Sequence, residues 1–270
     1  MTDKHNQITA WHFKLAKKRG GTHENCFPAN LIPNYRIELF EELCGTAIGP
    51  WRGPGHLQYT FATESMIDEV AHKVNQDPLE FRKRLYAGHK TYPYKGYGAT
   101  QIDAQRMWLC YERAAKMANW DQPRGKNIGL GIAGHFTFGS YTAFVVEVKV
   151  TKEGKYRITQ CWGAIDCGLA VNPNHIRNQM EGGFIDGLNA AMFNQADISE
   201  GRVNTRNFDS LPMFRMAQSP LNVEVVIMEN SHSPTGVGEP PTAPAAAALT
   251  NAIFAATGKR IRELPIELEV

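Results

Sequence analysis

Glu239 stands between glycines and prolines, in Gly236-Val237-Gly238-Glu239-Pro240-Pro241. Glycines let backbone approach a ligand closely, and the proline pair restricts the backbone after it. A carboxylate held in such a loop suits a general base beside a bound group. A loop glutamate taken singly is more often a solvated side chain, so its company matters. Arg52 lies in Trp51-Arg52-Gly53-Pro54-Gly55, a Gly/Pro loop just ahead of a helical pattern. Its guanidinium is a rigid fork of donors for an anionic or electron-rich group, with the Gly53 amide alongside. Gln179 lies in Gln179-Met180-Glu181-Gly182-Gly183. Its primary amide would donate to a polar cofactor through the gap that the glycines leave. Read one at a time, Arg52 is a turn arginine and Gln179 an exposed helix glutamine.

The surrounding pattern sets out the elements that must position these groups. Residues 6–13 read as a strand that starts with no lead-in, so its neighbouring strands are expected from elsewhere. Residues 20–34 are loop-like and 35–39 a strand. Residues 59–75 form an amphipathic helix through Phe61, Met66, Ile67, Val70, Ala71 and Val74. Asp77-Pro78 opens a second helix to about residue 85, with Asp77 as N-cap. A third helix covers 103–118, and 119–128 is a polar connector. Strands are expected at 144–150, 156–162, 223–228 and 261–268, the first two forming a hairpin around Lys152-Glu153-Gly154-Lys155. A long helix covers 175–194, a loop 231–242, and an Ala-rich helix 243–257 with Gly258 as its stop. The pattern predicts a mixed α/β (α+β) fold in two segments, 1–118 and 119–270.

Several chemistries are excluded by the same residues. Gly129-Leu130-Gly131-Ile132-Ala133-Gly134 fits the dinucleotide glycine pattern. It follows a loop and precedes strand-like His135-Phe136-Thr137-Phe138, whereas a phosphate-binding turn needs a strand before and a helix after. It reads as a glycine-rich strand. The nine histidines never pair at metal-ligand spacing, so His56, His135 and His232 read as satisfied core or surface residues, and no metal ligands are assigned. No Gly-x-Ser-x-Gly elbow is present. The five cysteines are odd in number and form no CxxC, which argues against a disulfide framework or an iron–sulfur cage within this chain. The 270 residues carry a net charge of only +2 with scattered Lys and Arg, giving no support for nucleic-acid binding. No apolar run approaches the roughly 20 residues that cross a bilayer. The polar start, MTDKHNQITAW, has no apolar signal-peptide core. The expected compartment is the cytoplasm, or the periplasm where a partner carries the export signal.

Taken together, seven segments carry a resemblance that runs collinearly over nearly the whole chain. They are WRGPGH, FATESMIDEVAH, DPLEFRKRL, FGSYTAFVVEVKV, AIDCGLAVNPNHIRNQMEGGFIDGL, NFDSLPMFRM and GVGEPPTAPAAAALTNAIFAATGKRIRELPI. The chain resembles the molybdenum hydroxylases, the xanthine dehydrogenase/aldehyde oxidoreductase family, in the C-terminal part of their large molybdopterin-binding subunit. Isoquinoline 1-oxidoreductase β-type members are the nearest in pattern. The resemblance implies that Glu239 is the catalytic base, that Gln179 donates to the molybdenum cofactor, and that Arg52 and Gly53 lie beside the molybdenum centre. It implies a cofactor-lining turn at Gly139 and Ser140 and cofactor contacts from Gly236, Val237 and Gly238. Where purine-oxidising members carry an aromatic residue after the Arg-Gly, this chain has Pro54, which puts a purine clamp in doubt.

The implied reaction is attack of a water-derived hydroxyl on an electron-poor carbon, either an aldehyde carbonyl or a ring carbon next to nitrogen. A glutamate takes the hydroxyl proton and electrons leave through iron–sulfur clusters. The implied cofactor is molybdopterin cytosine dinucleotide, with [2Fe-2S] clusters in a small partner subunit. The upstream GQG-type glycine segment of the family is not found, so an N-terminal molybdopterin-binding chain is the expected partner that completes the domain. A further electron-transfer subunit with FAD or cytochrome c is also implied, as is a small-molecule substrate. The contrasting reading is a structural fragment without chemistry; retention of Arg52, Gln179 and Glu239 favours the enzyme.

Overall fold

A computed structural model describes residues 1–17, 29–41, 49–88, 91–94, 98–220 and 222–266. Strand β1 (Ala10–Lys17) pairs in parallel with β2 (Asn34–Glu41), Ala10 opposite Asn34. Helices α1 (His56–Lys73) and α2 (Pro78–Tyr86) come next. A short antiparallel ribbon of β3 (Thr91–Pro93) and β4 (Gln101–Asp103) leads into α3 (Ala104–Met117). Strands β5 (Ile128–Thr137), β6 (Ser140–Val150) and β7 (Tyr156–Asp166) form an antiparallel meander. After α4 (Pro173–Phe193) and a small ribbon of β8 (Ile198–Ser199) and β9 (Arg202–Val203), β10 (Val223–Ile227) returns parallel to β7. The sheet order is β10-β7-β6-β5, and α5 (Ala245–Thr257) is the last helix among the described residues.

Side-chain alternation along the strands builds three layers. On one face Ala133, Phe144, Val146 and Val148 meet Met180, Phe184 and Leu188 of α4 and Ala248, Leu249 and Ala252 of α5. Phe144 and Phe184 stack at 3.8 Å between centroids. On the other face Ile132, Phe136, Tyr141, Ala143 and Val145 meet Met107, Cys110, Tyr111 and Ala114 of α3. Helix α3 thus precedes the 119–128 connector in sequence but covers the sheet that comes after it. The glycine-rich strand has a packing reason. A Cβ on Gly129 or Gly131 would run into the α5 backbone at Ala252, and Gly134 faces Met107 and Tyr111 of α3. Gly131→Ala is therefore expected to cost about 1–3 kcal/mol by forcing α5 off the sheet. Urea unfolding of the purified protein checks this.

Local chemistry starts and stops the helices where the sequence places them. Asp77 accepts from the amides of Leu79 and Glu80 at 2.8 and 3.0 Å with Pro78 at the first helical position. Asp103 and Asn172 cap α3 and α4 in the same way, and Gly258 ends α5 at φ 74°. Two expectations are corrected. The N-terminal strand runs over Ala10–Lys17 rather than 6–13, and it finds a neighbour within the chain, in β2. Residues 261–266 form no strand: Ile261 and Ile266 are buried against the α4/α5 layer, and the Ile266 amide bonds to Ala191 O at 2.8 Å. The remainder of that expected strand, 267–268, lies outside the described residues, as does most of the 20–34 loop.

Candidate functional site

Two left-handed glycines, Gly53 at φ 71° and Gly55 at φ 79°, fold the segment before α1 back on itself. That turn directs Arg52 toward α4 and the loop ahead of α5. Arg52 Nε donates to Gly238 O at 2.6 Å and Nη2 donates to Gln179 Oε1 at 2.6 Å. Nη1 lies 3.8 Å from Asp186 Oδ2. The Gly53 amide donates to Glu239 Oε2 at 3.1 Å across 186 residues of sequence. Arg52, Gly53, Gln179, Gly238 and Glu239 are thus one hydrogen-bonded cluster.

Helix α4 offers this cluster one face, with Gln179, Gly182, Gly183 and Asp186 at positions i, i+3, i+4 and i+7. A Cβ on Gly183 would come within 2.9 Å of Arg52 Nη2, so glycine lets the guanidinium lie this close to the helix without shifting. A Cβ on Gly182 would meet nothing within 4 Å, so the helix flank there is open. Because Arg52 is a pure donor, it fixes the orientation of the Gln179 amide: Oε1 turns to Arg52 and the Nε2 donors are presented outward. Gln179 is exposed and Glu239 half-buried.

The glutamate loop rests on the β5–β6 hairpin. The Gly236 amide donates to Phe138 O at 3.0 Å. Ser140 Oγ donates to Gly236 O at 2.7 Å and lies 2.7 Å from Thr235 Oγ1. Gly139, at φ 81°, lets the hairpin turn press on Thr235, where a Cβ would sit 2.8 Å from Thr235 Cγ2. Thr142 Oγ1 donates to Pro240 O at 3.2 Å. The structure therefore places Gly139 and Ser140 beneath the loop, with the Ser140 hydroxyl committed to backbone. Val237 packs its side chain against the α4/α5 layer, and Gly238 contributes a carbonyl.

At the far end of the same loop, Arg106 of α3 grips Asp166 through two bonds at 2.7 and 2.6 Å, and Asn230 and the Gly168 amide also donate to Asp166. Burial alone would push the Asp166 carboxyl up. The Arg106 guanidinium and the added donors outweigh it and hold the carboxyl below the usual range. Burial pushes the thiols of Cys110, Cys161 and Cys167 above their ordinary value, which makes them neutral packing groups. Among the described residues, no three His, Cys, Asp or Glu side chains gather as a metal site, and no helix is long and apolar enough to cross a membrane. A cavity of about 510 Å³ adjoins the cluster between the Arg52 loop, α4 and the start of α5, with Trp51, Leu57, Ala190, Thr242 and Leu264 on its walls.

Sequence reasoning missed Asp186 and Gly183 as partners of Arg52. Their spacing from Gln179 on one helix carried that signal. It also missed the contact of His56 with His135, for which the sequence holds no signal, since 79 residues separate them.

Residues 63–220 and 31–86 match two family profiles, each described as a molybdopterin cofactor-binding domain. The chain is 28% identical over 269 residues to the β chain of isoquinoline 1-oxidoreductase from Brevundimonas diminuta, covering 95% of this chain and 32% of that protein. It is 31% identical over 226 residues to one of the subunits of nicotinate dehydrogenase from Pseudomonas putida, covering 81% of this chain and 18% of that one. Among solved structures, quinoline 2-oxidoreductase from Pseudomonas putida 86 shares the fold with a TM-score of 0.72 at 12% identity, over 96% of this chain and 59% of that chain. Aldehyde oxidoreductase from Desulfovibrio desulfuricans does so with a TM-score of 0.70 at 15% identity, over 97% of this chain and 47% of that chain. The chain thus spans about a third or less of the two curated relatives.

Proposed function

Because the chain belongs to the molybdopterin cofactor-binding domain family, we propose that it is the molybdenum-cofactor part of a multi-subunit oxidoreductase. That enzyme uses water to hydroxylate an N-heteroaromatic ring carbon or to oxidise an aldehyde to a carboxylic acid. The observation that carries this reading is the joining of Arg52, Gly53, Gln179 and Glu239 into one cluster from three distant segments.

The residues fit such a cofactor. The cluster presents a guanidinium, a primary amide turned donor-outward and an open helix flank at Gly182. This donor set suits a polar group carrying pterin and phosphate oxygens. Arg52, Gln179 and the Gly236–Gly238 backbone would hold it, with Gly139 and Ser140 supporting that backbone from below. When bound, the group supplies two-electron redox chemistry and the activation of water. Glu239 does the proton work of the chain. Its Oε2 is anchored by the Gly53 amide, which leaves Oε1 to take a proton from the attacking hydroxyl. Arg52 keeps the Gly238 carbonyl, and with it the carboxylate one residue on, in a fixed place.

Isoquinoline 1-oxidoreductase, nicotinate dehydrogenase and quinoline 2-oxidoreductase are named for N-heteroaromatic substrates, and the aldehyde oxidoreductase for aldehydes. Pro54, in place of an aromatic clamp, favours these two substrate classes over purines. The relatives are themselves named as subunits, which supports an assembly with an N-terminal molybdopterin-binding chain and a small [2Fe-2S] protein. An FAD or cytochrome c protein would pass electrons on. The pterin is proposed in its cytosine dinucleotide form. Purification with co-eluting chains, then elemental analysis and intact mass, is expected to give stoichiometric molybdenum with a larger partner and an iron–sulfur protein. A stable, metal-free monomer would overturn the reading.

A further inference from the structure

His56 and His135 are both buried, with 3% and 4% of their surface exposed, and their rings meet at a tilt with centroids 5.0 Å apart. His135 Nε2 lies 2.9 Å from His56 Nδ1. The other ring nitrogens are also engaged: His135 Nδ1 lies 2.9 Å from Thr60 Oγ1, and His56 Nε2 lies 2.9 Å from Thr137 Oγ1. A continuous chain of side chains runs Thr60–His135–His56–Thr137 between the first turn of α1 and β5.

The Thr60 hydroxyl fixes one proton of this chain. Thr60 spends its hydroxyl proton on His56 O, one helical turn back, at 2.7 Å. Thr60 Oγ1 therefore meets His135 as an acceptor, so His135 carries a proton on Nδ1. Every ring nitrogen of the pair is engaged.

These bonds hold in place the segment that reaches Glu239. Helix α1 has no side-chain cap; its N-cap is Gly55 in the left-handed region. The His56 amide donates to Gly53 O at 2.9 Å, and the Gly53 amide donates to Glu239 Oε2 at 3.1 Å. The His56 ring is the side chain that ties this uncapped turn to β5. The loop that carries Glu239 rests on the same hairpin, through the Gly236 amide on Phe138 O.

We propose that His56 and His135 are positioning residues for the Glu239 base: a buried, hydrogen-bonded imidazole pair registers the Arg52–Gly53 turn on β5, so that the Gly53 amide meets the carboxylate. This rests on the reading of Glu239 as the base, but its test does not need turnover. Hydrogen–deuterium exchange is measured in a peptide spanning 51–57 within the purified assembly. His56→Phe keeps an aromatic ring, though a larger one, and removes every ring hydrogen bond. Exchange in 51–57 is expected to rise about ten-fold or more, while α5 stays protected. His56→Asn places a side-chain amide, able to donate or accept, near the Nδ1 position and should recover most of the protection. Thr137→Val removes only the outermost hydroxyl and is expected to raise exchange a few-fold. It carries the test if His56→Phe does not fold. Exchange in 51–57 that is unchanged in a folded His56→Phe, or in Thr137→Val when that variant alone folds, would overturn the proposal. So would equal effects of the Phe and Asn variants. In an active assembly, His56→Phe should lower kcat and leave KM unchanged, as loss of base alignment predicts. If the wild-type assembly shows no turnover, the function is wrong while the exchange result still decides the positioning.

Discussion

Glu239→Gln is expected to lower turnover by about 10²–10⁴-fold, the range that a positioned general base contributes, with molybdenum content unchanged. The substitution keeps the shape of the side chain and an oxygen for the Gly53 amide at 3.1 Å. It removes only the capacity to take a proton. Steady-state assays with an aldehyde and with a quinoline-type heterocycle, paired with elemental analysis, separate lost chemistry from lost cofactor. Full turnover in a metallated variant would remove Glu239 from the mechanism. The contacts of Arg52 with Gly238 and Gln179 persist in this variant, so cofactor retention is the expected companion result.

The largest stability effect is expected at Glu64. Arg82 has 0% of its surface exposed, and Glu64 meets its guanidinium at 3.0 and 2.9 Å through one carboxylate oxygen. Glu64 also accepts from the Tyr111 hydroxyl at 2.9 Å and the Gly134 amide at 3.2 Å. Burial alone would lower the Arg82 pKa; the adjacent Glu64 charge, with Tyr111 and Asp68, raises it instead. Glu64→Leu would strand a buried cation, a buried hydroxyl and a strand amide together. Breaking one side of a buried ion pair typically costs about 3–5 kcal/mol. For a chain of this size that corresponds to a fall in Tm of roughly 6–20 °C. The double variant Glu64→Leu/Arg82→Met should recover much of the loss, because the stranded charge goes with it. Thermal unfolding of the two variants checks the sign and the recovery.

The same ion pair shows where sequence reasoning ends. Glu64 lies on the α1 pattern and Arg82 on the α2 pattern, each polar and each consistent with a solvated helix face. Only the packing of α1 and α2 against β5 and α3 puts both out of water. The described cysteines, Cys110, Cys161 and Cys167, are likewise buried, which their spacing along the chain does not show.

Features that depend on neighbours a few residues away were legible in the chain before any folding. The Asp77 cap with Pro78, the Gly258 stop, the β6–β7 hairpin and the refusal of a dinucleotide turn at 129–134 come from side-chain period and turn chemistry. The residue types in the three segments marked Arg52, Gln179 and Glu239 as belonging together, through their resemblance to a known pattern. Contacts between distant segments arose only in the folded molecule. Packing gave β1 its parallel partner β2, left 261–266 as irregular chain and turned the Ser140 hydroxyl onto Gly236. It also locked His56 to His135 and put the Gly53 amide on Glu239 across 186 residues. The physical reason is that a hydrogen bond holds only over about 3 Å. A one-dimensional pattern fixes which side of an element is polar, but packing against the rest of the fold fixes which polar groups come that close.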